Sequence, residues 1–154
     1  LDDPAPRNTL AAKFSVPFAV ATRIVHGHSR MAAFSWDAVR HAGVLALARR
    51  VQVTEDPAMT RRLPQQRPAR VEITDRQGRV HVAEVGVNRG DDAAPYSHAE
   101  LRGKFLDLCG RVWPQAHAEQ LLAATLALCE APSAEQADGR FAEWRALLLR
   151  PPEA

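Results

Sequence analysis

Residues 71–87 read VEITDRQGRVHVAEVGV, and this stretch decides the fold class. Apolar residues flank Glu72, and apolar and polar residues alternate again from Val80 to Val87, which is typical of strands that bury one face. Gly78 lies in the polar turn between them and supplies the positive φ that a tight turn requires. The sequence therefore predicts an antiparallel hairpin.

A third strand is predicted upstream of this hairpin, where Val51 and Val53 flank a polar residue. The segment 57–68 between them is polar and contains several prolines, so we expect a loop. Three strands with helices on one side would form a two-layer α+β sandwich with a small antiparallel sheet. Such a sheet keeps two unpaired edges, and a further strand from upstream would complete it.

Helix signals precede the sheet. Ser15 is the predicted N-cap of a helix that carries Pro17 in its first turn and ends at Gly27, where a left-handed cap is easy. Ser35 is predicted to begin a short helix, and another short helix is predicted around residues 44–50.

The last third of the chain is predicted to be helical throughout. Ser97 and Glu100 have the spacing of a capping box, and Pro114 opens a second helix that a third one follows. We therefore divide the chain into a small α+β domain over residues 1–112 and a helical carboxy-terminal segment over residues 113–154.

The composition is that of an ordinary globular protein. Hydrophobic residues at 46% and charged residues at 25% argue against wholesale disorder, and no apolar run approaches the roughly 20 residues that span a bilayer. A net charge of +2, from 20 basic and 18 acidic residues, is too balanced to indicate nucleic acid or an anionic membrane as a partner. The two cysteines form no CxxC motif, so we expect reduced thiols and a cytoplasmic protein.

Few residues suggest chemistry. His26, His28 and His41 make a metal site conceivable, but their spacing matches no recognised ligand pattern, so solvated or helix-capping roles are favoured. The arginines of segment 61–70 have no aromatic residues among them for base stacking, which favours a solvated loop or a subunit contact over RNA binding. Taken alone, the residues predict no catalytic residue, no metal and no cofactor.

Three segments, in order, resemble the carboxy-terminal region of the MmgE/PrpD family. Residues 12–21, AKFSVPFAVA, are similar to the family run A-K-F-S-L-P-Y-x-V-A, and residues 69–79 resemble its P-a-x-V-x-V-T-x-x-D-G-R hairpin. Residues 90–105, GDDAAPYSHAELRGKF, fit the pattern G-x-x-x-x-P-x-S-x-x-E-L-x-x-K-F. The ordered set covers most of the chain, which makes accidental similarity improbable.

The resemblance implies metal-independent chemistry on a small polycarboxylate, by proton abstraction next to a carboxylate. The family includes 2-methylcitrate dehydratase, cis-aconitate decarboxylase and iminodisuccinate epimerase. It also implies a helical domain upstream in the same protein, with most of the catalytic acid and base residues, and a homodimer. The leading hypothesis is a lyase of the dehydratase type in which this chain is the smaller, cleft-covering portion.

The same resemblance suggests Lys13, Ser15 and Phe18 as substrate-binding residues. The aromatic position of the family run is often Tyr and approaches the active site, but here Phe18 lacks the hydroxyl, so packing against substrate or core is expected. Lys13 and Ser15 could contact a substrate carboxylate, although a helix cap is favoured for Ser15.

Other functions stay open at this point. The chain could be a truncated paralogue that binds a partner through its exposed sheet edge. It could also belong to a family member with epimerase or decarboxylase activity, because the groups that select the substrate would lie mostly outside this chain.

Overall fold

The computed structural model describes residues 1–151, which pack as two compact units that divide between Glu84 and Val85. The first unit contains α1 (Thr9–Lys13), α2 (Val16–His26), a 3-10 helix (Met31–Phe34), α3 (Trp36–Val39), α4 (Ala42–Ala48), α5 (Pro57–Thr60), β1 (Ala69–Thr74) and all but the last residue of β2 (Val80–Val85). The second unit contains α6 (His98–Cys109), α7 (Gln115–Cys129) and α8 (Ala134–Leu148). The α+β class, with a small antiparallel sheet and a helical carboxy-terminal part, is confirmed.

Helix α2 is the centre of the first unit, and its predicted limits are confirmed. It begins because the Ser15 side chain accepts a hydrogen bond from the Phe18 N–H, with Pro17 in the first turn where its missing N–H is harmless. It ends at Gly27, which adopts the left-handed conformation with φ 71°. Its buried face joins one apolar core: Ala12, Phe18, Ala21, Val39, Val44 and Ala48.

Two capping residues fix the short helices packed near α2. Ser35 caps α3 by accepting a hydrogen bond from the Ala38 N–H, as predicted. The N-cap of α4 is His41, whose Nδ1 atom lies 3.3 Å from the Val44 nitrogen and accepts its N–H. Both helices are therefore fixed by side-chain caps as well as by the apolar residues they bury.

The sheet has two strands among residues 1–151, so the predicted third strand is wrong. Residues 51–56 form neither helix nor strand, and no strand of the described part of the chain pairs with their backbone. The hairpin itself is confirmed: Gly78 has φ 78°, and the Asp75 carboxylate accepts the N–H groups of Gln77 and Arg79 across the turn. The second strand ends at Val85 rather than Val87.

The segment predicted as a loop contains one helical turn, α5. Asp56 accepts hydrogen bonds from the N–H groups of Ala58 and Met59, and Pro57 occupies the first helical position. An acidic N-cap followed by proline is a strong helix start, so the local signal outweighed the polar composition of the segment.

The second unit is built on helices with the predicted starts. Ser97 and Glu100 form a complete capping box on α6, α7 follows Pro114, and Ser133 caps α8. The residues that α7 buries are His117, Ala118, Leu121 and Leu122. The division after residue 112 stays a prediction.

Candidate functional site

The hydroxyl group of Ser15 makes two structural hydrogen bonds. It donates to the Asp3 carbonyl at 2.5 Å and accepts the Phe18 N–H at 3.0 Å, and the residue is 2% exposed. Of its two considered roles, the helix cap is the one observed. The hydrogen bond to Asp3 also fastens the amino-terminal stretch to the start of α2.

Phe18 is a core residue in this structure, with no exposed surface. Its ring packs against that of Phe34, with ring centroids 5.9 Å apart. Packing against the core, one of the two expected roles, is therefore observed. Because the ring carries no hydroxyl, it offers no hydrogen-bond donor to a substrate.

Lys13 is the member of the predicted trio whose polar group is available. It lies in the last turn of α1, where a cation is favourable, and its side chain is exposed. Its side chain forms no hydrogen bond or ion pair with any other residue in the described range, 1–151. The segment thus presents one free ammonium group beside two structurally engaged residues, and substrate binding by the three stays a prediction.

The structure brings the three histidines of the first unit together around the end of α2. The His26 ring centroid lies 6.3 Å from that of His28 and 5.3 Å from that of His41. His41 caps α4 as described, and the His26 Nε2 atom is buried with no hydrogen-bond partner. No group of His, Cys, Asp and Glu side chains within residues 1–151 is arranged to hold a metal ion.

The arginine-rich segment is partly neutralised within its own unit. Arg62 donates to Gln66 at 2.6 Å and lies 3.5 Å from a carboxylate oxygen of Glu84, while Arg70 forms an ion pair with Glu72. These pairs reduce the positive charge that a phosphate backbone would meet. The solvated-loop interpretation therefore has a structural basis.

The family-like segment of residues 90–105 is clamped to the start of α6 by Arg89. The guanidinium group forms a bidentate pair with the Glu100 carboxylate, at 2.5 and 3.2 Å, and also donates to the Ala94 carbonyl at 3.4 Å. Gly90 adds a backbone hydrogen bond to Ala94 at 2.8 Å. The loop therefore closes on itself and on the helix.

Tyr96 fills the space under this loop. The Arg89 guanidinium carbon lies 5.5 Å and the Lys104 ammonium nitrogen 5.4 Å from its ring centroid, so two cations face one aromatic ring. Gly90 has φ 101°, and a Cβ atom there would lie 2.6 Å from the Tyr96 ring. Both the backbone angle and the close approach require glycine, which explains its place in the motif.

The electrostatics of this cluster lower the pKa of Glu100 from 4.5 to about 2. The main cause is the hydrogen bond from the Ser97 hydroxyl, followed by the Ser97 N–H and the Arg89 guanidinium. Glu100 is therefore ionised at any physiological pH and cannot serve as a general acid. Its role in this geometry is to hold the loop.

Two further features, the thiol of Cys109 and the apolar character of the helices, add nothing to the candidate site. Burial raises the pKa of the Cys109 thiol, which disfavours the nucleophilic thiolate. No helix within residues 1–151 has the length and apolar character needed to cross a membrane.

The conserved-family model for the MmgE/PrpD C-terminal domain matches residues 1–128. The chain belongs to the MmgE/PrpD family. Helix α8 begins at Ala134, beyond the matched residues, so this MmgE/PrpD chain carries a helix outside the region that the family model describes. No curated protein matches the chain.

Sequence reasoning missed Arg89 and Tyr96, the two residues that complete the clamp. Arg89 immediately precedes the motif glycine, and its partner Glu100 lies eleven residues away across an irregular loop. No periodic pattern connects positions across such a loop, so only the structure pairs them. The capping box, in contrast, is local and was predictable.

Proposed function

We propose that this chain is the cleft-covering portion of a lyase that acts on a small polycarboxylate, with dehydration of the 2-methylcitrate type as its reaction. The observation that carries the proposal is the family match over residues 1–128. In this proposal an upstream helical domain supplies the base that removes the proton next to a carboxylate. The same domain supplies the acid that assists the departure of hydroxide.

The charges of the described residues fit a covering role better than a catalytic one. Glu100 has a strongly lowered pKa because Ser97 and Arg89 stabilise its ionised form, and its hydrogen bonds hold the loop before α6. The single hydroxyl proton of Ser15 is donated to the Asp3 carbonyl, its oxygen accepts the Phe18 N–H, and the residue is buried, so Ser15 offers no donor to a substrate. The acid and base are therefore assigned to the upstream domain.

Lys13 is the residue that we assign to substrate. A polycarboxylate dianion or trianion needs cationic partners, and an exposed ammonium with no competing ion pair is available for that purpose. Ser15 and Phe18 act behind it, since the cap and the buried ring fix the position of the α1–α2 junction. In this proposal Lys13 binds the substrate, and Ser15 and Phe18 hold the segment that carries Lys13 in position.

The test is an activity screen of the intact gene product that contains this chain. 2-Methylcitrate, cis-aconitate and iminodisuccinate are supplied separately, and alkene formation, carbon dioxide release and stereoisomer interconversion are measured. We expect alkene formation from 2-methylcitrate. A folded product that turns over none of the three acids overturns the proposal, whereas turnover of another acid replaces the dehydratase assignment by a decarboxylase or an epimerase.

Lys13→Ala tests the assignment of the substrate contact in the same protein. A hydrogen bond to a charged group contributes about 1.5–3 kcal/mol, so KM should rise by roughly 10- to 100-fold, with kcat nearly unchanged if the contact is equal in the ground and transition states. The matched control is Lys104→Ala, which removes the other lysine of the chain. An unchanged KM in Lys13→Ala refutes the contact without touching the lyase proposal.

A further inference from the structure

Lys13 lies between two helix caps. Helix α1 ends at Lys13, and Ser15, two residues later, caps the start of α2. At the other end of α1 the N-cap is Asn8, whose side chain accepts a hydrogen bond from the Ala11 N–H at 2.8 Å. The carbonyl group of Asn8 also accepts the Ala12 N–H at 3.0 Å, which closes the first turn. Asn8 therefore contributes both a side-chain and a backbone hydrogen bond to α1.

Helix α1 depends on its cap because it is short. It has five residues, whereas an isolated helix of fewer than about 12–15 residues is marginal in water. Its first turn contains no acidic residue, so the amide of Asn8 is the side chain that satisfies an N–H group there. Among its five residues, Ala12 is the one that is buried, and it joins α1 to the core around α2. With so little buried surface, the cap is a large part of what keeps α1 helical.

The position of the Lys13 ammonium group follows from the backbone of α1. A lysine side chain has a flexible four-carbon stem, so its own rotamers do not fix the charge in one place. Nor does any hydrogen bond or ion pair to another residue within 1–151 hold the Lys13 side chain. The reach of the ammonium group is therefore set by the location of the Lys13 Cα atom, which α1 determines.

We propose that Asn8 is a positioning residue for the substrate contact of Lys13. This inference rests on the proposed function, in which Lys13 binds a carboxylate of a small polycarboxylate. With the cap in place, α1 holds Lys13 where it meets the substrate. Without the cap, α1 is formed for only part of the time, and the apparent affinity for the substrate falls by that fraction. Asn8 touches no substrate, and its effect passes through Lys13.

The experiment is a double-mutant cycle in the intact gene product that contains this chain. KM and kcat for 2-methylcitrate, or for whichever of the three acids the protein turns over, are measured in the parent protein, Asn8→Ala, Lys13→Ala and the double variant. Asn8→Ala should raise KM by about 2- to 30-fold, which is the factor that the usual contribution of an N-cap corresponds to, with kcat nearly unchanged. In the Lys13→Ala background the same substitution should leave KM unchanged, because the contact through which Asn8 acts is already absent.

Conservative substitutions separate capping from any other role of Asn8. Asn8→Asp keeps an equally good cap and should leave KM near that of the parent, whereas Asn8→Gly loses part of the cap and should raise KM by up to about twofold. This pair still tests the proposal if Asn8→Ala does not fold. Asp56→Ala is the matched control, because it removes the side-chain cap of another one-turn helix, α5, in the same unit. It should leave KM unchanged.

Three outcomes overturn the role of Asn8 while the proposed function stands. Asn8→Ala could leave KM unchanged although Lys13→Ala raises it. Asn8→Ala could raise KM equally with and without Lys13, or Asp56→Ala could raise KM as much, and either result would mean that general loosening of the unit is the cause. If Lys13→Ala leaves KM unchanged, the substrate contact and the role of Asn8 are both refuted, whereas the lyase proposal is not. A folded parent protein that turns over none of the three acids overturns the proposed function and the role of Asn8 together.

Discussion

The core around α2 and the α7–α8 pair are stabilised by different kinds of contact. Around α2, Phe18 and Val44 are fully buried among other apolar residues. Helix α8 has no fully buried residue, and its contacts with α7 include several polar ones. Those contacts join Trp144 to Thr125, Arg140 to the Ala127 carbonyl and His117 to the Leu147 carbonyl. The comparison teaches that the core around α2 is built on fully buried apolar residues, whereas hydrogen bonds accompany half-buried residues such as Trp144 and Leu147 where α8 meets α7.

The largest effect is expected in the packed core. Phe18→Ala should lower the free energy of unfolding by about 3–5 kcal/mol, because it removes a buried ring and leaves a cavity. Phe14→Ala is the matched control: the same residue type, four positions earlier and 63% exposed, should change stability by less than about 0.5 kcal/mol. Urea unfolding followed by circular dichroism measures both. Equal losses would mean that this core does not depend on the packing of Phe18.

Gly90→Ala tests the loop of the second unit. A non-glycine residue at φ 101° is strained, and its Cβ atom would collide with the Tyr96 ring, so a loss of about 1–3 kcal/mol is expected. Gly103→Ala, in the interior of α6 with nothing near its added Cβ, should instead stabilise the protein by about 0.5–1 kcal/mol. Thermal unfolding should therefore shift in opposite directions. A destabilising Gly103→Ala would show that α6 is constrained by something other than helix propensity.

The same contrast explains what the sequence could predict. Signals that act within a few residues were sufficient to predict where helices begin and end. Helix α2 begins after Ser15 and ends at Gly27, and α6 begins at the capping box of Ser97 and Glu100. Apolar alternation at Val51 and Val53 predicted a strand that does not form, because strand pairing depends on a second edge that alternation does not identify. In the candidate site, the structural roles expected for Ser15 and Phe18 are the ones observed, whereas the side chain of Lys13 has no partner among the described residues.

Trp144→Phe measures one polar attachment of α8. The indole N–H donates to the Thr125 hydroxyl at 3.0 Å, and removing the donor while keeping a ring should cost about 0.5–1.5 kcal/mol. Thr125→Val and the double variant complete a double-mutant cycle that isolates the coupling between the two side chains. Additive losses would show that α8 is held by ring packing rather than by this hydrogen bond, and the comparison with the α2 core would weaken.

The smallest effect concerns acid. Because the pKa of Glu100 is about 2 in the folded chain and 4.5 is its ordinary value, the unfolded chain takes up this proton first as pH falls. The stabilisation from Glu100 is therefore complete above about pH 4.5 and is lost as the pH falls toward about 2. In NMR titrations Ser97→Ala should raise this pKa more than Arg89→Ala does, since the Ser97 hydroxyl is the larger cause. The reverse order would show that the ion pair with Arg89, rather than the capping box, lowers the pKa of Glu100. In that case Glu100→Gln should cost little stability relative to the unmodified chain at high salt, because salt already screens the ion pair.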